Sequence, residues 1–237
     1  MMIIAGQCSM DKYFLETSRE VARLGATHIR AGLFKPRSSP NRWSGWGNEN
    51  EEMLRLGLEQ IREIKETTGK KIVAEAMNPK QIEILYDYID IFQVGSRNQQ
   101  DSELLKEFGK QDKPVLLKRG FATTIEEFVM AADFIGDNVI LCERGVRSFE
   151  TYTRNTFDIA CIPAVKGLCD RPIIADPSHA AGMNELVIPL ALASIVAGAD
   201  GLMIEVHCKR EEAKTDGPQS LTIEQFEDLM IKVKNYG

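Results

Sequence analysis

Residues 114–145, PVLLKRGFATTIEEFVMAADFIGDNVILCERG, hold in one stretch the unit from which the chain is built. A short apolar run, 114–117, ends abruptly in Lys118 and Arg119. Thr124, followed by Glu126 and Glu127, then marks a helix start, because a hydroxyl satisfies a first-turn amide and carboxylates favour the positive end of the helix. Apolar residues recur at helical spacing through 124–135, and Gly136 supplies a stop. A second apolar run, 138–142, ends in Glu143 and Arg144. Strand, helix and strand in about thirty residues read as a parallel crossover.

The same alternation extends to both ends. Apolar runs at 2–5, 28–34, 71–76, 91–94, 114–117, 138–142, 172–175 and 201–206 are eight candidate strands. Helical periodicity fills 11–24, 49–68, 79–89, 99–108, 124–135, 184–199 and 222–235, with Gly69, Gly109, Gly136 and Gly198 at C-terminal ends and Thr222 at a start. Eight such units in 237 residues predict an α/β fold of the closed (β/α)8 TIM-barrel type, a single catalytic domain spanning 1–237. A doubly wound open sheet is the alternative, but no GxGxxG follows the first strand.

Hydrophobic residues at 43% and charged residues at 27% exclude disordered, collagenous and disulfide-scaffold classes. A net charge of -6, 29 basic against 35 acidic residues, argues against nucleic-acid binding and against a polybasic membrane anchor. The five cysteines show neither a CxxC pair nor a framework spacing, which fits a reducing cytoplasm. The opening MMIIAGQCSMDKY has no basic leader, and the longest apolar stretch, 186–199, is interrupted by Pro189 and Ser194. It falls short of the about 20 residues a membrane span needs, so a cytoplasmic protein is expected.

In such a barrel the site lies at the C-terminal strand ends. There the chain places Cys8; Arg30, Lys35 and Arg37; Glu75 and Asn78; Gly95, Ser96, Arg97 and Asn98; Lys118 and Arg119; Glu143, Arg144 and Arg147; Asp176, Ser178 and His179; Glu205 and His207. A single loop cation is ordinarily just solvated. So many cations in one partly desolvated mouth repel one another unless anions neutralise them, so ligands bearing phosphate or carboxylate are expected. The guanidinium forks of Arg97 and Arg144 suit phosphate oxygens, while Lys35 and Lys118 act as point charges.

A second group joins one thiol, one imidazole and two carboxylates: Cys8, His179, Glu205 and Asp216. Strands one and eight are neighbours in a closed barrel, so the four can meet. Mixed S, N and O donors suit a divalent transition metal such as Mn, Fe, Co, Zn or Cu rather than Mg or Ca. Spacing alone leaves open the plainer alternative, a buried thiol beside ordinary loop carboxylates.

Other candidates read as structural. His28 starts its strand, at the stability face, and Cys142 alternates within an apolar run. Cys161 and Cys169 flank Pro163 and Gly167 at no ligand spacing. His207 shares the face of Glu205 by the period of two and is a candidate to assist the site. Trp43 and Trp46, in the loop 38–50, either line a substrate lid or pack that loop on itself.

The motifs KPRSSP (35–40), QVGSRNQQ (93–100), LLKRG (116–120), LCERG (141–145), YTRNT (152–156), DPSHAAG (176–182), IEVH (204–207) and TDGPQSL (215–221) resemble, in order and over essentially the whole chain, the 3-deoxy-7-phosphoheptulonate (DAHP) synthases. The likeness is closest to the subgroup related to 3-deoxy-octulosonate 8-phosphate (KDO8P) synthases. It implies a metal-dependent transferase of the shikimate pathway, condensing phosphoenolpyruvate with erythrose 4-phosphate to DAHP and phosphate. By matching motif, Cys8, His179, Glu205 and Asp216 are implied as metal ligands. Arg97, Lys118, Arg144 and the Ser96 amide are implied for the phosphoenolpyruvate phosphate, and Arg30, Lys35 and Lys118 for its carboxylate. Lys35, Pro36, Arg37 and Ser38 are implied for erythrose 4-phosphate. Lys118 is expected to donate a proton, and His207 or the metal to position water.

The chain departs from the usual family pattern at Gln7, Met10, Asp11, Ser96, Gln99 and Asp101. KDO8P synthase, or a paralogue using another aldose phosphate, is the alternative enzyme, although KPRSSP favours the four-carbon sugar over the usual KANRSS. A non-catalytic barrel that only binds such anions is the alternative of another class. Because the first strand and last helix use both ends of the sequence, no separate regulatory domain is expected, and aromatic amino acids are expected to leave the rate unchanged. The nearly all-apolar helix 184–199 predicts a homo-oligomer, dimer or tetramer.

Overall fold

The computed structural model describes residues 1–37 and 39–236. Eight parallel strands close on themselves in sequence order: β1 (Met2–Gln7), β2 (His28–Ala31), β3 (Lys71–Glu75), β4 (Ile91–Val94), β5 (Val115–Lys118), β6 (Val139–Glu143), β7 (Ile173–Ala175) and β8 (Gly201–Glu205). Pairing of β1 with β8, from Met2 opposite Gly201 to Gly6 opposite Glu205, closes the ring. The expected TIM barrel is the observed fold.

Nine α-helices occur among the described residues: α1 (Phe14–Arg23), α2 (Glu51–Thr68), α3 (Pro79–Leu85), α4 (Ser102–Gly109), α5 (Ile125–Asp133), α6 (Cys161–Leu168), α7 (Pro177–Ala181), α8 (Asn184–Val196) and α9 (Ile223–Val233). Seven match the periodic segments, trimmed by a few residues at their ends. Two were not anticipated. In α6, Pro163 lies in the first turn, where the missing N–H has no intrahelical role, so it does not break the helix. α7 is too short to show a period, but Asp176 caps it by accepting from the His179 amide. The Thr124 and Thr222 starts are both reciprocal caps, with Glu127 and Gln225 as partners.

Two apolar layers follow from strand alternation. Ile4, Val73, Ile91, Leu116, Ile140, Cys142, Ile174 and Met203 fill the barrel, and residues of opposite parity join the helices in the outer core. Two residues further along their strands, on the same inward face, stand Glu75, Gln93, Lys118 and Glu205, with Arg30 on β2, while Arg144 and Asp176 follow one residue past the ends of β6 and β7. A single period of two therefore sets a charged layer directly on an apolar one. No helix among the described residues is long and apolar enough to cross a membrane.

Gln7, Asp11, Gln99 and Asp101, four of the positions that depart from the family pattern, have local partners. Gln7 bonds Asp11 and lies within reach of Thr17. Gln99 accepts from the Thr123 hydroxyl, and Asp101 caps α4.

Candidate active site

A cavity of about 330 Å³ opens at the C-terminal strand ends. Its wall includes Cys8, Arg30, Lys35, Pro36, Arg37, Ser96, Arg97, Lys118, Arg144, His179 and Asp216, so most of the residues singled out in the sequence meet at one place. Ser38 falls outside the described residues. Glu205, fully buried, reaches the same point from β8.

The donor atoms of Cys8, His179, Glu205 and Asp216 all lie within 4.8 Å of one another. Each is brought there by a separate device. Gly32, just past β2, lets the Cys8 loop lie against it, since a Cβ at that position would fall 1.9 Å from the Cys8 carbonyl oxygen. His179 is fixed by α7: Asp176 Oδ2 lies 2.8 Å from its Nδ1, leaving Nε2 facing Cys8 Sγ at 3.5 Å and Glu205 Oε1 at 3.2 Å. Asp216 has φ 59, in the left-handed region that side-chain-bearing residues seldom adopt and Asp tolerates better than most.

The charges around this cluster are matched in pairs. Arg30 meets Glu205 at 2.9 Å, Lys118 meets Asp176, and Arg119 meets Glu143 at 2.9 Å and Asp158 at 2.7 Å. Lys35 lies 2.6 Å from Asp216 and also contacts the Cys8 sulfur. Burial pushes the Cys8 thiol up to about 12 despite the pull of Arg30 and Lys35, and it draws His179 down to about 4, leaving a neutral imidazole. Burial alone would raise Asp216, but Lys35 and the neighbouring cations hold its carboxyl well below the usual range. Burial also brings Arg144 down to about 10, still a cation at neutral pH.

Two observations bear on what the site accepts. The Lys35 ammonium stands between a thiol and a carboxylate, where a bound cation would also be welcomed, and thiol, imidazole and carboxylates together suit a transition metal. The residues therefore fit a metal centre. Glu75 Oε1 and Gln93 Oε1, on residues of the cavity wall, are buried and have no hydrogen-bond partner among the described residues, so the wall keeps unused polar capacity.

His207 does not join this mouth. The chain leaves β8 at Glu205, and His207 turns toward Asp11, donating from Nε2 to its carboxylate at 2.9 Å while Nδ1 accepts from the Lys209 amide. The period of two holds only while the strand continues, and both ring nitrogens are already engaged. Trp43 and Trp46 are also absent from the wall: Trp46 packs in the core, and Trp43 bonds Glu49 through its indole and holds Arg37 through its carbonyl. The loop is thus packed by its own aromatics.

Sequence reasoning passed over several contributors. Arg154 bonds Asp216 at 3.0 Å and Gln219 at 2.6 Å, and Gln219 in turn bonds Glu205, making an outer brace for two donors. Both residues lie inside the motifs YTRNT and TDGPQSL, but nothing in a linear motif shows which side chain turns inward. Ser39, Arg42 and Phe121 also line the cavity.

Comparison with known proteins gives the family. The profile of the DAHP synthetase I family matches residues 1–237. The phospho-2-dehydro-3-deoxyheptonate aldolase of Thermotoga maritima is 43% identical over 238 residues, covering 98% of this chain and 68% of that protein. The crystal structure of a Thermotoga maritima protein of that name, DAHP synthase, superposes with a TM-score of 0.91 at 42% identity, covering 99% of this chain and 68% of that one. The 2-dehydro-3-deoxyphosphooctonate aldolase of Desulfotalea psychrophila is more distant, 27% identical over 258 residues that cover 98% of this chain and 88% of that protein.

Proposed function

The chain belongs to the DAHP synthetase I family, and from that membership and the mouth just described we propose that it condenses phosphoenolpyruvate with erythrose 4-phosphate, releasing DAHP and phosphate. This is the first step of the shikimate pathway. The observation that carries the reading is the convergence of four metal-type donors on the wall of an arginine- and lysine-lined cavity.

Enzymes of this family depend on a divalent metal, and Cys8, His179, Glu205 and Asp216 are the residues that would hold it. Bound there, the ion supplies Lewis acidity that makes the aldehyde of the sugar electrophilic. Arg97, Lys118 and Arg144, with the Ser96 amide, take the phosphoenolpyruvate phosphate; Arg30, Lys35 and Lys118 take its carboxylate. Lys35, Pro36, Arg37 and Ser38 meet erythrose 4-phosphate, with Arg37 at its phosphate. So held, C3 of phosphoenolpyruvate attacks the aldehyde carbon and leaves cationic character at C2. Lys118 donates a proton to the alkoxide formed from the aldehyde oxygen, water adds to C2 and gives its proton back to Lys118, and the hemiketal phosphate expels phosphate by carbon–oxygen cleavage as its C2 hydroxyl loses its proton to give the ketone. Fixing two anions face to face is most of the work, because approach in water is opposed by their charge.

The likeness to 2-dehydro-3-deoxyphosphooctonate aldolases keeps a five-carbon aldose phosphate as the second reading. The KPRSSP loop supports the four-carbon sugar instead. Five unpaired thiols fit a reducing cytoplasm, and the exposed Val196 at the end of the apolar α8 supports a dimer or tetramer. Incubation with both substrates and Mn²⁺, followed by phosphorus NMR, tests the reaction: the phosphoenolpyruvate signal should give way to free phosphate and one new sugar phosphate. Persistence of phosphoenolpyruvate with metal and either sugar would leave only an anion-binding barrel.

A further inference from the structure

The cations of the mouth are held in two different ways. Arg30, Lys35, Lys118 and Arg119 each meet a carboxylate. Arg144 meets none among the described residues; its guanidinium reaches only the carbonyl oxygens of Gly145 and His179, both at 3.3 Å. What it does lie against is an aromatic face. The ring of Phe121, half-buried just beyond β5, has the Arg144 guanidinium carbon 4.9 Å from its centroid, Arg97 at 5.4 Å and Arg147 at 4.6 Å. The Arg147 amide also donates to the Phe121 carbonyl at 2.7 Å, which ties the two loops together.

A carboxylate and a phenyl ring have opposite consequences for an anion site. A carboxylate steadies an arginine by cancelling its charge and occupying its donors. A π face steadies it with its quadrupole, leaves the net charge intact and uses no N–H donor. Three guanidiniums gathered on one ring repel one another, and the quadrupole of the shared ring offsets part of that repulsion. Arg97 and Arg144 both line the cavity, and Arg144 meets no carboxylate there among the described residues.

We infer that Phe121 is a positioning residue: its ring pre-assembles the arginines that receive the phosphate of phosphoenolpyruvate, and Arg147 adds a third charge behind them. The inference rests on the assignment of Arg97 and Arg144 to that phosphate. It distinguishes Arg144, seated on an aromatic face with no carboxylate among the described residues, from Arg30, Lys35 and Lys118, which are matched by carboxylates.

Titration calorimetry of phosphoenolpyruvate into the metal-loaded protein tests it with Phe121→Leu, Phe121→Trp and Arg144→Ala. Leu preserves apolar bulk without a π face and should raise Kd by about fivefold or more, since two or three cation–π contacts are lost. Trp should restore Kd to within about twofold of the unsubstituted protein. A packing role would move the melting temperature instead, so that temperature and the Mn²⁺ affinity should stay unchanged; Phe121→Met replaces Leu should Leu fail to fold. Unchanged affinity in Phe121→Leu, or equal loss in Leu and Trp, overturns the inference while Arg144→Ala still weakens binding. Unchanged affinity in Arg144→Ala overturns the phosphate assignment beneath it.

Discussion

The ammonium of Lys35 lies 2.6 Å from Asp216 Oδ2 and rests on the Cys8 sulfur as well, so a substrate-side cation and two metal-type donors share one point. Cys8 and Asp216 are thus poised for a positive charge whichever group provides it. With Cys8→Ala the thiol that defines the set is gone, and bound Mn²⁺ or Zn²⁺, measured by elemental analysis after gel filtration, should fall from about one per chain toward zero. Chelator should abolish turnover of the unsubstituted protein, and metal should restore it. Full turnover in excess chelator, unchanged in Cys8→Ala, contradicts the metal assignment.

In the proposed reading, Arg144 and Arg37 divide the mouth between two phosphates. A charge-assisted contact is worth about 1.5 to 3 kcal/mol. Arg144→Ala should therefore raise the KM for phosphoenolpyruvate about tenfold or more, and Arg37→Ala should raise the KM for the aldose phosphate on the same scale. Steady-state kinetics with each substrate varied in turn checks this. If both variants impaired the same substrate alone, the division would be wrong.

Gly32 predicts a structural route to the same loss. A methyl group there would overlap the Cys8 carbonyl oxygen, so Gly32→Ala must displace the loop that carries the thiol. Forced overlap of this kind costs about 1 to 3 kcal/mol. Chemical denaturation should show that loss, together with weaker metal binding than in an Ala substitution at exposed Gly167, where a Cβ meets nothing. Equal metal affinity in the two variants would show that the close approach does not position Cys8.

Much of this site was legible because strand alternation is a strong constraint. Once the runs around 114–145 are read as strand, helix and strand, the site falls at the strand ends, where Glu75, Lys118, Arg144 and Glu205 stand. Legibility stopped where the chain leaves the strands. His207 keeps the parity of Glu205 but faces Asp11, because β8 has ended. Phe121, Arg154 and Gln219 come from loops whose side-chain directions are set by tertiary contacts rather than by any repeat. α6 was hidden by Pro163 and Gly167, whose cost depends on position within the helix.

Asp11 gives a test outside the mouth. Burial would raise its carboxyl, but the hydrogen bond from His207 and the Tyr13 amide outweigh this and leave it lowered. A carboxyl lowered in the folded state contributes stability that is present above its unfolded value of about 3.9 and is lost as pH falls through the folded one. Asp11→Asn should therefore unfold at lower denaturant than the unsubstituted protein at pH 7, with the difference shrinking below about pH 4. A difference that is constant from pH 7 to pH 3 would remove the carboxylate from the account.

The central claim is that the charged mouth and the four-donor cluster act together on phosphoenolpyruvate and a four-carbon aldose phosphate. The most direct measurement is the initial rate of phosphate release by the metal-loaded protein with erythrose 4-phosphate and, separately, with arabinose 5-phosphate. The account predicts rapid release with the four-carbon sugar, a kcat/KM at least about tenfold lower with the five-carbon sugar, corresponding to about 1.4 kcal/mol of discrimination, and no release without an aldose. Preference for arabinose 5-phosphate, or release that needs no aldose, would contradict it.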